Sequence, residues 1–236
     1  MKNKLLRLLH DNIDRPRSFS VKAEASDVAH VYLYDVIGDW WGIGAAEFVQ
    51  TLRAVTAPTI HLHINSPGGD VFDARAIATS LKQHSARVVA LIEGYAASAA
   101  TTVALAADEV RIADGAFFMI HNSWTITVGN AADHDEQAAL LRQVDGAILA
   151  DYARKTGKGE DVIRGWMEAE TWFTAQQAVE EGFADGLLGE AAAENRWNLA
   201  AYSNAPAPAA KAPAQAGQYD REKYERRLAL LARIAG

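Results

Sequence analysis

The chain has 236 residues, 50% hydrophobic and 22% charged, with a formal net charge of -7 at neutral pH. That length supports one domain with a real core plus an appended segment. Nucleic acid and anionic membrane reward clustered Lys and Arg, and the acidic balance gives no general reason to expect either as a partner. The absence of cysteine excludes disulfides, thiolate metal sites and a cysteine nucleophile, and it is compatible with a reducing compartment.

Residues 1–26 read as a polar leader. Its start, Met1 to Leu9, has an apolar run interrupted by Arg7, and no small-residue cleavage site follows before the polar stretch Asp11 to Arg17. It is therefore not read as a secretory signal. No run reaches the roughly 20 apolar residues of a spanning helix, and a cytoplasmic setting is expected.

The main body, 27–190, alternates strand-like and helix-like patterns. Ala29 to Val36 alternates β-branched and aromatic residues and predicts a strand, and Ala45 to Leu52 predicts a helix. Thr59 to Ile64 predicts a strand closed by the turn signal Asn65-Ser66-Pro67-Gly68-Gly69. Ala74, Ile77, Ala78 and Leu81 recur at helical spacing within Val71 to Gln83. Val88 to Ile92 is an apolar strand, followed by the Gly94 loop and a small-residue helix from about Ser98 to Ala107. Val110 to Ile112 and Phe117 to Ile120 predict short strands. Ala131 to Lys155 predicts a long helix with Leu141, Val144, Ile148 and Tyr152 on one stripe. Strand-then-helix repeats of this kind predict an α/β fold with a mainly parallel sheet.

Beyond the body, Pro206, Pro208 and Pro213 in an Ala-rich run predict a semi-rigid linker over 191–217, within a flexible Pro/Ala-rich C-terminal tail. Residues 218–236 form an amphipathic helix candidate, with Tyr224, Leu228, Leu231 and Ala235 on one side. It reads equally as a solvated helix or as a docking helix, since one such helix does not bury its face alone.

Three segments carry residues fit for chemistry. Ser98 follows a buried strand and the sharp turn at Gly94, which sets its hydroxyl at a helix N-terminus where N–H groups and the dipole favour a developing anion. Taken alone, a serine there is an ordinary N-cap. Asn65 to Asp70 presents two glycines between strand and helix, a concave nest of N–H groups for an oxyanion or phosphate; it lacks the Gly-Lys-Ser/Thr of a P-loop. His121 closes the apolar strand Phe117 to Ile120, a common place for a site residue on an open sheet. His61 and His63 share a strand face without a third ligand, and His134 belongs to a charged helix start, so no metal site and no cofactor are expected. A serine peptidase also needs a buried acid. Asp133, Asp135, Glu168 and Glu170 are candidates, and the bulk of Thr171-Trp172-Phe173 beside Glu170 ranks that residue first.

Read together, I-N-S-P-G-G at Ile64 to Gly69, G-Y-A-A-S-A at Gly94 to Ala99, M-I-H at Met119 to His121 and the segment Glu168 to Gly182 resemble the Clp protease proteolytic-subunit family. The resemblance covers about Asp27 to Leu188. It implies a ClpP/crotonase-like α/β fold of repeated β-α units with Ala131 to Lys155 as a long handle helix. It also implies a homo-oligomeric, heptamer-like stacked ring acting on peptide and protein substrates. Carried over by position, it makes Ser98 the nucleophile, His121 the general base and Glu170 the triad acid, where the family usually has Asp. The backbone N–H groups of Gly69 and Ala99 become the oxyanion donors. The chain order Ser, His, acid differs from that of α/β-hydrolases.

Ile37-Gly38-Asp39-Trp40-Trp41-Gly42 and Glu170-Thr171-Trp172 look like the phage and prophage branch, associated with prohead maturation, with capsid or scaffold proteins as expected partners. The leader does not resemble the family's axial loops, so docking to a Clp unfoldase ATPase is left open. Two other readings remain: a non-catalytic assembly protein that keeps the fold, and a crotonase acting on acyl thioesters, which would leave Ser98 without a role.

Overall fold

In a computed structural model of the chain, residues 7, 8, 10, 12, 18–23, 27–192, 197–206, 225 and 229 are described. One mixed sheet of eight strands organises them. β1 (Ser18–Ala23) lies within the expected leader and pairs antiparallel with β2 (Val28–Tyr34), its Phe19 and Val21 packing on the core. From β2 the sheet continues parallel through β3 (Thr59–Ser66), β4 (Arg87–Ala97), β5 (Glu109–Asp114) and β8 (Gly186–Ala192). The expected parallel α/β architecture is present.

β4 is the hinge of the sheet because it serves two partners in succession. Val89 to Ile92 pair with β5, whereas Tyr95 to Ala97 pair with β6 (Phe117–Ile120). β6 in turn pairs antiparallel with β7 (Thr171–Thr174). The period-2 alternation of strands assigns each side chain to a face. Ile60, Leu62 and Ile64 of β3, and Val88, Ala90 and Ile92 of β4, meet Phe48 and Leu52 of α1 (Ala45–Arg53) and Ile77 and Leu81 of α2 (Val71–Gln83) in the main core. Tyr95, Ala97 and Met119 belong to a second apolar cluster.

α3 (Ala99–Ala104) opens directly after β4 and is buried along its length except at Thr102. α4 (Ala131–Thr156) has 26 residues and so runs ~39 Å. Asn130 and Asp133 close its start as a reciprocal capping box, and Gly157 ends it in the left-handed conformation with φ 71°. Ile148 and Tyr152 of the expected stripe are buried, while Leu141 and Val144 nearer the start are only half-buried. α5 (Glu160–Glu168) and α6 (Ala175–Glu180) flank β7. Thr174 caps α6 through a second capping box, as its position before Ala175 implies.

Residues 197–206 fall in the stretch expected to be linker, yet they are packed. Trp197, Leu199, Ala201 and Tyr202 are buried in the second cluster with Leu8, Val36, Tyr95 and Met119. Two large aromatic rings and a leucine remove enough apolar surface to fix such a segment, at about 1.5–3 kcal/mol per side chain. The expected helix over 218–236 lies outside the described residues apart from 225 and 229, which are helical.

Phe183 is the keystone where α4, α5, β6 and β7 meet. It is fully buried, with its ring centroid 4.8 Å from that of Phe118, 5.0 Å from Phe173 and 5.8 Å from Tyr152. Phe183→Ala is expected to cost about 3–5 kcal/mol, read as a lowered urea midpoint at unchanged slope. An unaltered midpoint would mean that these elements do not depend on the aromatic cluster.

Candidate active site

The β4–α3 junction is where the backbone is least ordinary. Ser98 has φ 54° and ψ -127°, one of two non-glycine residues with positive φ among those described. Such a conformation costs on the order of 1–3 kcal/mol and persists only where its surroundings impose it. Here they do. The Ser98 N–H donates to Met119 O at 2.9 Å, and its carbonyl accepts from the Thr101 hydroxyl at 2.6 Å. Although Ser98 occupies the N-cap position of α3, its side chain does not cap that helix. Instead Ser98 Oγ lies 2.7 Å from His121 Nε2.

His121 reaches this place by strand alternation. Phe118 and Ile120 point into the main core and Met119 into the second cluster, so His121, next in phase with Met119, falls on the second side. It is 8% exposed, and its ring packs edge-on against Tyr202 at 5.5 Å between centroids. The β6–β7 pairing places Glu170. Ile120 lies opposite Thr171, so one further step of the antiparallel register sets His121 opposite Glu170. Glu170 is 7% exposed, has φ 50°, and accepts the Asn204 N–H on Oε1 at 2.8 Å. The other acids are elsewhere: Asp133 is spent on the α4 capping box, and Asp135 and Glu168 are exposed.

The glycine turn closes over the serine. Gly68 has φ 93°, and a Cβ there would stand 2.5 Å from Ala97 O and 2.7 Å from Ser98 Cβ. At Gly69, φ 147°, a Cβ would stand 2.0 Å from Ile37 O. Ile37 bridges this turn on both sides, its N–H donating to Gly68 O and its carbonyl accepting from Asp70 N, both at 2.9 Å. The Gly69 N–H between them makes no hydrogen bond among the described residues. Ala99 is the first residue of α3, where a backbone N–H has no intrahelical acceptor. Asp70, the end of the turn, caps α2 through the N–H groups of Phe72 and Asp73.

Ser98 lies on a cleft of about 290 Å³ whose lining includes Trp41, Gly69, Phe72, Trp124, Ile126 and Leu140. Tyr202 also lines it. Burial first, and then the Glu170 carboxylate, push the Tyr202 phenol above the ordinary tyrosine range, whereas its contact with the Ser98 hydroxyl acts in the opposite direction. Tyr202, Asn204 and Leu8 were not legible in sequence as site residues. All three lie outside the body, and nothing in their spacing ties them to Ser98.

Of the histidines set aside in sequence, His61 and His63 join His30 in a separate group on β2 and β3, while His134 lies exposed in the first turns of α4. His30 Nδ1 meets His63 Nε2 at 2.8 Å, and His63 Nδ1 meets Glu93 Oε1 at 2.9 Å, with Tyr34 donating to the other Glu93 oxygen. Burial, and then the neighbouring His30 and His63, push His61 below the usual histidine range. Among the described residues no group of three or more His, Asp or Glu side chains is arranged to hold a metal ion. Nor is any helix there long and apolar enough to cross a membrane.

A family model described as Clp protease matches residues 21–191. An ATP-dependent Clp protease proteolytic subunit 1 from Chlamydia muridarum is 34% identical over 153 residues, which is 61% of this chain and 79% of that one. An ATP-dependent Clp protease proteolytic subunit 2 from Tropheryma whipplei is 30% identical over 133 residues, 56% of this chain and 74% of that one. A subunit 1 from Streptomyces avermitilis is 35% identical over 131 residues, 55% of this chain and 60% of that one.

Because the Gly68 position has no room for a side chain, Gly68→Ala is expected to push the turn off Ser98. Displacements of about 1 Å at such sites cost on the order of 10²-fold. The check is the rate at which a fluorophosphonate labels the variant at matched folding by circular dichroism. An unchanged rate would show that the turn's approach to Ser98 is not required for its reactivity.

Proposed function

This chain belongs to the Clp protease family and is a Clp-type serine peptidase; on that premise we propose that it cleaves peptide bonds with Ser98 as nucleophile, His121 as general base and Glu170 as the orienting acid. The observation that carries this reading is the 2.7 Å approach of Ser98 Oγ to His121 Nε2, from a serine whose strained backbone withholds its hydroxyl from the helix it precedes.

In this reading His121 carries its proton on Nδ1, held toward Glu170, and Nε2 accepts the Ser98 hydroxyl proton. Oγ bonds to the substrate carbonyl carbon as the proton passes to Nε2, and the carbonyl oxygen becomes an anion facing the Gly69 and Ala99 N–H groups. The carbon–nitrogen bond then breaks, and His121 returns the proton to the departing amine. Water repeats the sequence on the acyl-serine, with His121 again taking and giving the proton, and frees the carboxylate. Each Nε2 protonation leaves an imidazolium, which a buried carboxylate opposite the ring stabilises. The apolar walls of the cleft, Trp41, Phe72, Trp124 and Ile126 among them, fit an extended peptide carrying a hydrophobic side chain.

The biological setting has two versions. Similarity to ATP-dependent Clp proteolytic subunits supports a homo-oligomeric ring fed by a Clp ATPase in the cytoplasm. The Ile37 to Gly42 and Glu170 to Trp172 segments support service in prohead maturation, with capsid or scaffold proteins as substrates. Co-purification of an unfoldase argues for the first, and processing of a co-expressed capsid protein for the second.

A fluorophosphonate is expected to label the native protein and leave Ser98→Ala unlabelled; equal labelling of both would remove Ser98 as nucleophile. Glu170→Gln is expected to lower kcat by about 10²–10⁴-fold, by analogy with amide-for-acid replacement in serine peptidase triads, while leaving assembly intact by size-exclusion chromatography. Unchanged turnover would move the acid elsewhere, with Glu168 next to be replaced.

A further inference from the structure

Beyond β8 the chain returns to the site. After residues 193–196, the segment Trp197 to Pro206 crosses the sheet on the Met119 side and is held at both ends. At its start, Trp197 Nε1 donates to Asn65 O at 2.9 Å. Asn12 of the leader accepts the Asn198 N–H and donates to Asn198 O and Leu8 O, so both terminal segments are knotted together there. In the middle, the Tyr202 hydroxyl donates to Pro67 O at 2.6 Å, one residue before the glycine turn. Near its end, Asn204 makes two contacts with Glu170 and a third with its neighbour Ala169. Its N–H donates to Glu170 Oε1 at 2.8 Å, and its Nδ2 donates to Ala169 O at 2.7 Å and to Glu170 O at 3.4 Å.

A glutamate has three rotatable side-chain bonds, and its carboxylate must be held to face one histidine nitrogen. Glu170 also stands at φ 50°, a backbone conformation that its own short segment does not favour. Asn204 addresses both needs. The amide side chain clasps the Ala169 and Glu170 carbonyls and holds the backbone turn, while the N–H fixes one carboxylate oxygen and leaves the other for the ring. The burial of Trp197, Leu199 and Tyr202 keeps the strap from drifting off this contact.

We propose that the strap Trp197 to Ala205 is a working part of the catalytic centre, and that Asn204 is the positioning residue that holds Glu170 toward His121. The inference rests on Glu170 being the triad acid, and it adds a component from outside the region matched to the family, which ends at residue 191. Tyr202 is the strap's second point of contact, packing against the His121 ring. A strap in this place would otherwise be read as an inhibitory plug, and the two readings demand opposite effects of loosening it.

The test is a double-mutant cycle in the full chain, with a fluorogenic peptide as substrate. Asn204→Pro removes both the N–H donated to Glu170 and the side-chain clasp, whereas Asn204→Ala removes the clasp alone, so the difference between them isolates the N–H. The expected result is a fall in kcat of roughly 10²-fold for the first and several-fold for the second, with KM little changed. In a Glu170→Gln background neither substitution should lower kcat further, because Asn204 acts only through the acid. If Asn204→Pro fails to fold, Asn204→Ala carries the cycle for the clasp: its several-fold loss should vanish in the Glu170→Gln background, and a loss that persists there overturns the proposal. A rise in kcat/KM on loosening the strap would overturn the proposal in favour of a plug. Losses of equal size with and without Glu170 would reduce Asn204 to a structural role and overturn it too. Full turnover in Glu170→Gln would instead defeat the assignment of the acid, a failure visible before Asn204 is touched.

Discussion

The site depends on one backbone constraint: a buried strand must pass into a helix at Ser98 without the serine capping that helix. At φ 54° the residue turns its hydroxyl out of the α3 axis and toward β6. The strain is held by bonds on both flanks, from Ser98 N to Met119 O and from Thr101 Oγ1 to Ser98 O. Small residues on either side make the turn possible, since Ala97 and Ala99 are buried where larger side chains would find no space. The glycine turn can then settle against Ser98 at a distance no other residue permits.

The rest of the constellation follows from strand pairing rather than from local turns. β4 spends its first half on β5 and its second half on β6, which brings the strand leading to His121 alongside the strand leading to Ser98. β6 then pairs with β7 in an antiparallel register that sets Glu170 across from His121. Register slips of one residue would carry each side chain to the opposite face. The fully buried Phe118 and Ile120, locked on the core side, therefore specify where His121 points. Core packing and site geometry are in this sense one problem.

Much of the fold was legible because its signals are local. Strand alternation in Ala29 to Val36, helical spacing in Val71 to Gln83 and the turn at Asn65 to Gly69 need only neighbouring residues to be read. The junction at Ser98 was legible only in part: a serine before a small-residue helix looks the same whether it caps or reacts, and only its dihedral angles separate the two. The strap was not legible at all. Trp197, Leu199 and Tyr202 stand in a run whose alanines and prolines signal a linker, and the surface that receives them is assembled from Leu8, Val36, Tyr95 and Met119, residues far away in sequence.

The sequence by itself determined the kinds of chemistry available: a hydroxyl at a strand-to-helix turn, a histidine at a strand end, a glycine nest and a choice among four acids. These are properties of short segments, whose propensities and periodicities do not require the remainder of the chain. Only the tertiary structure decided that Glu170 alone of the four acids is buried, that Ser98 leaves its helix uncapped, and that Asn204 reaches Glu170 from 34 residues away. Those outcomes depend on strand register and on the burial of distant apolar side chains, and both are set by the whole core at once.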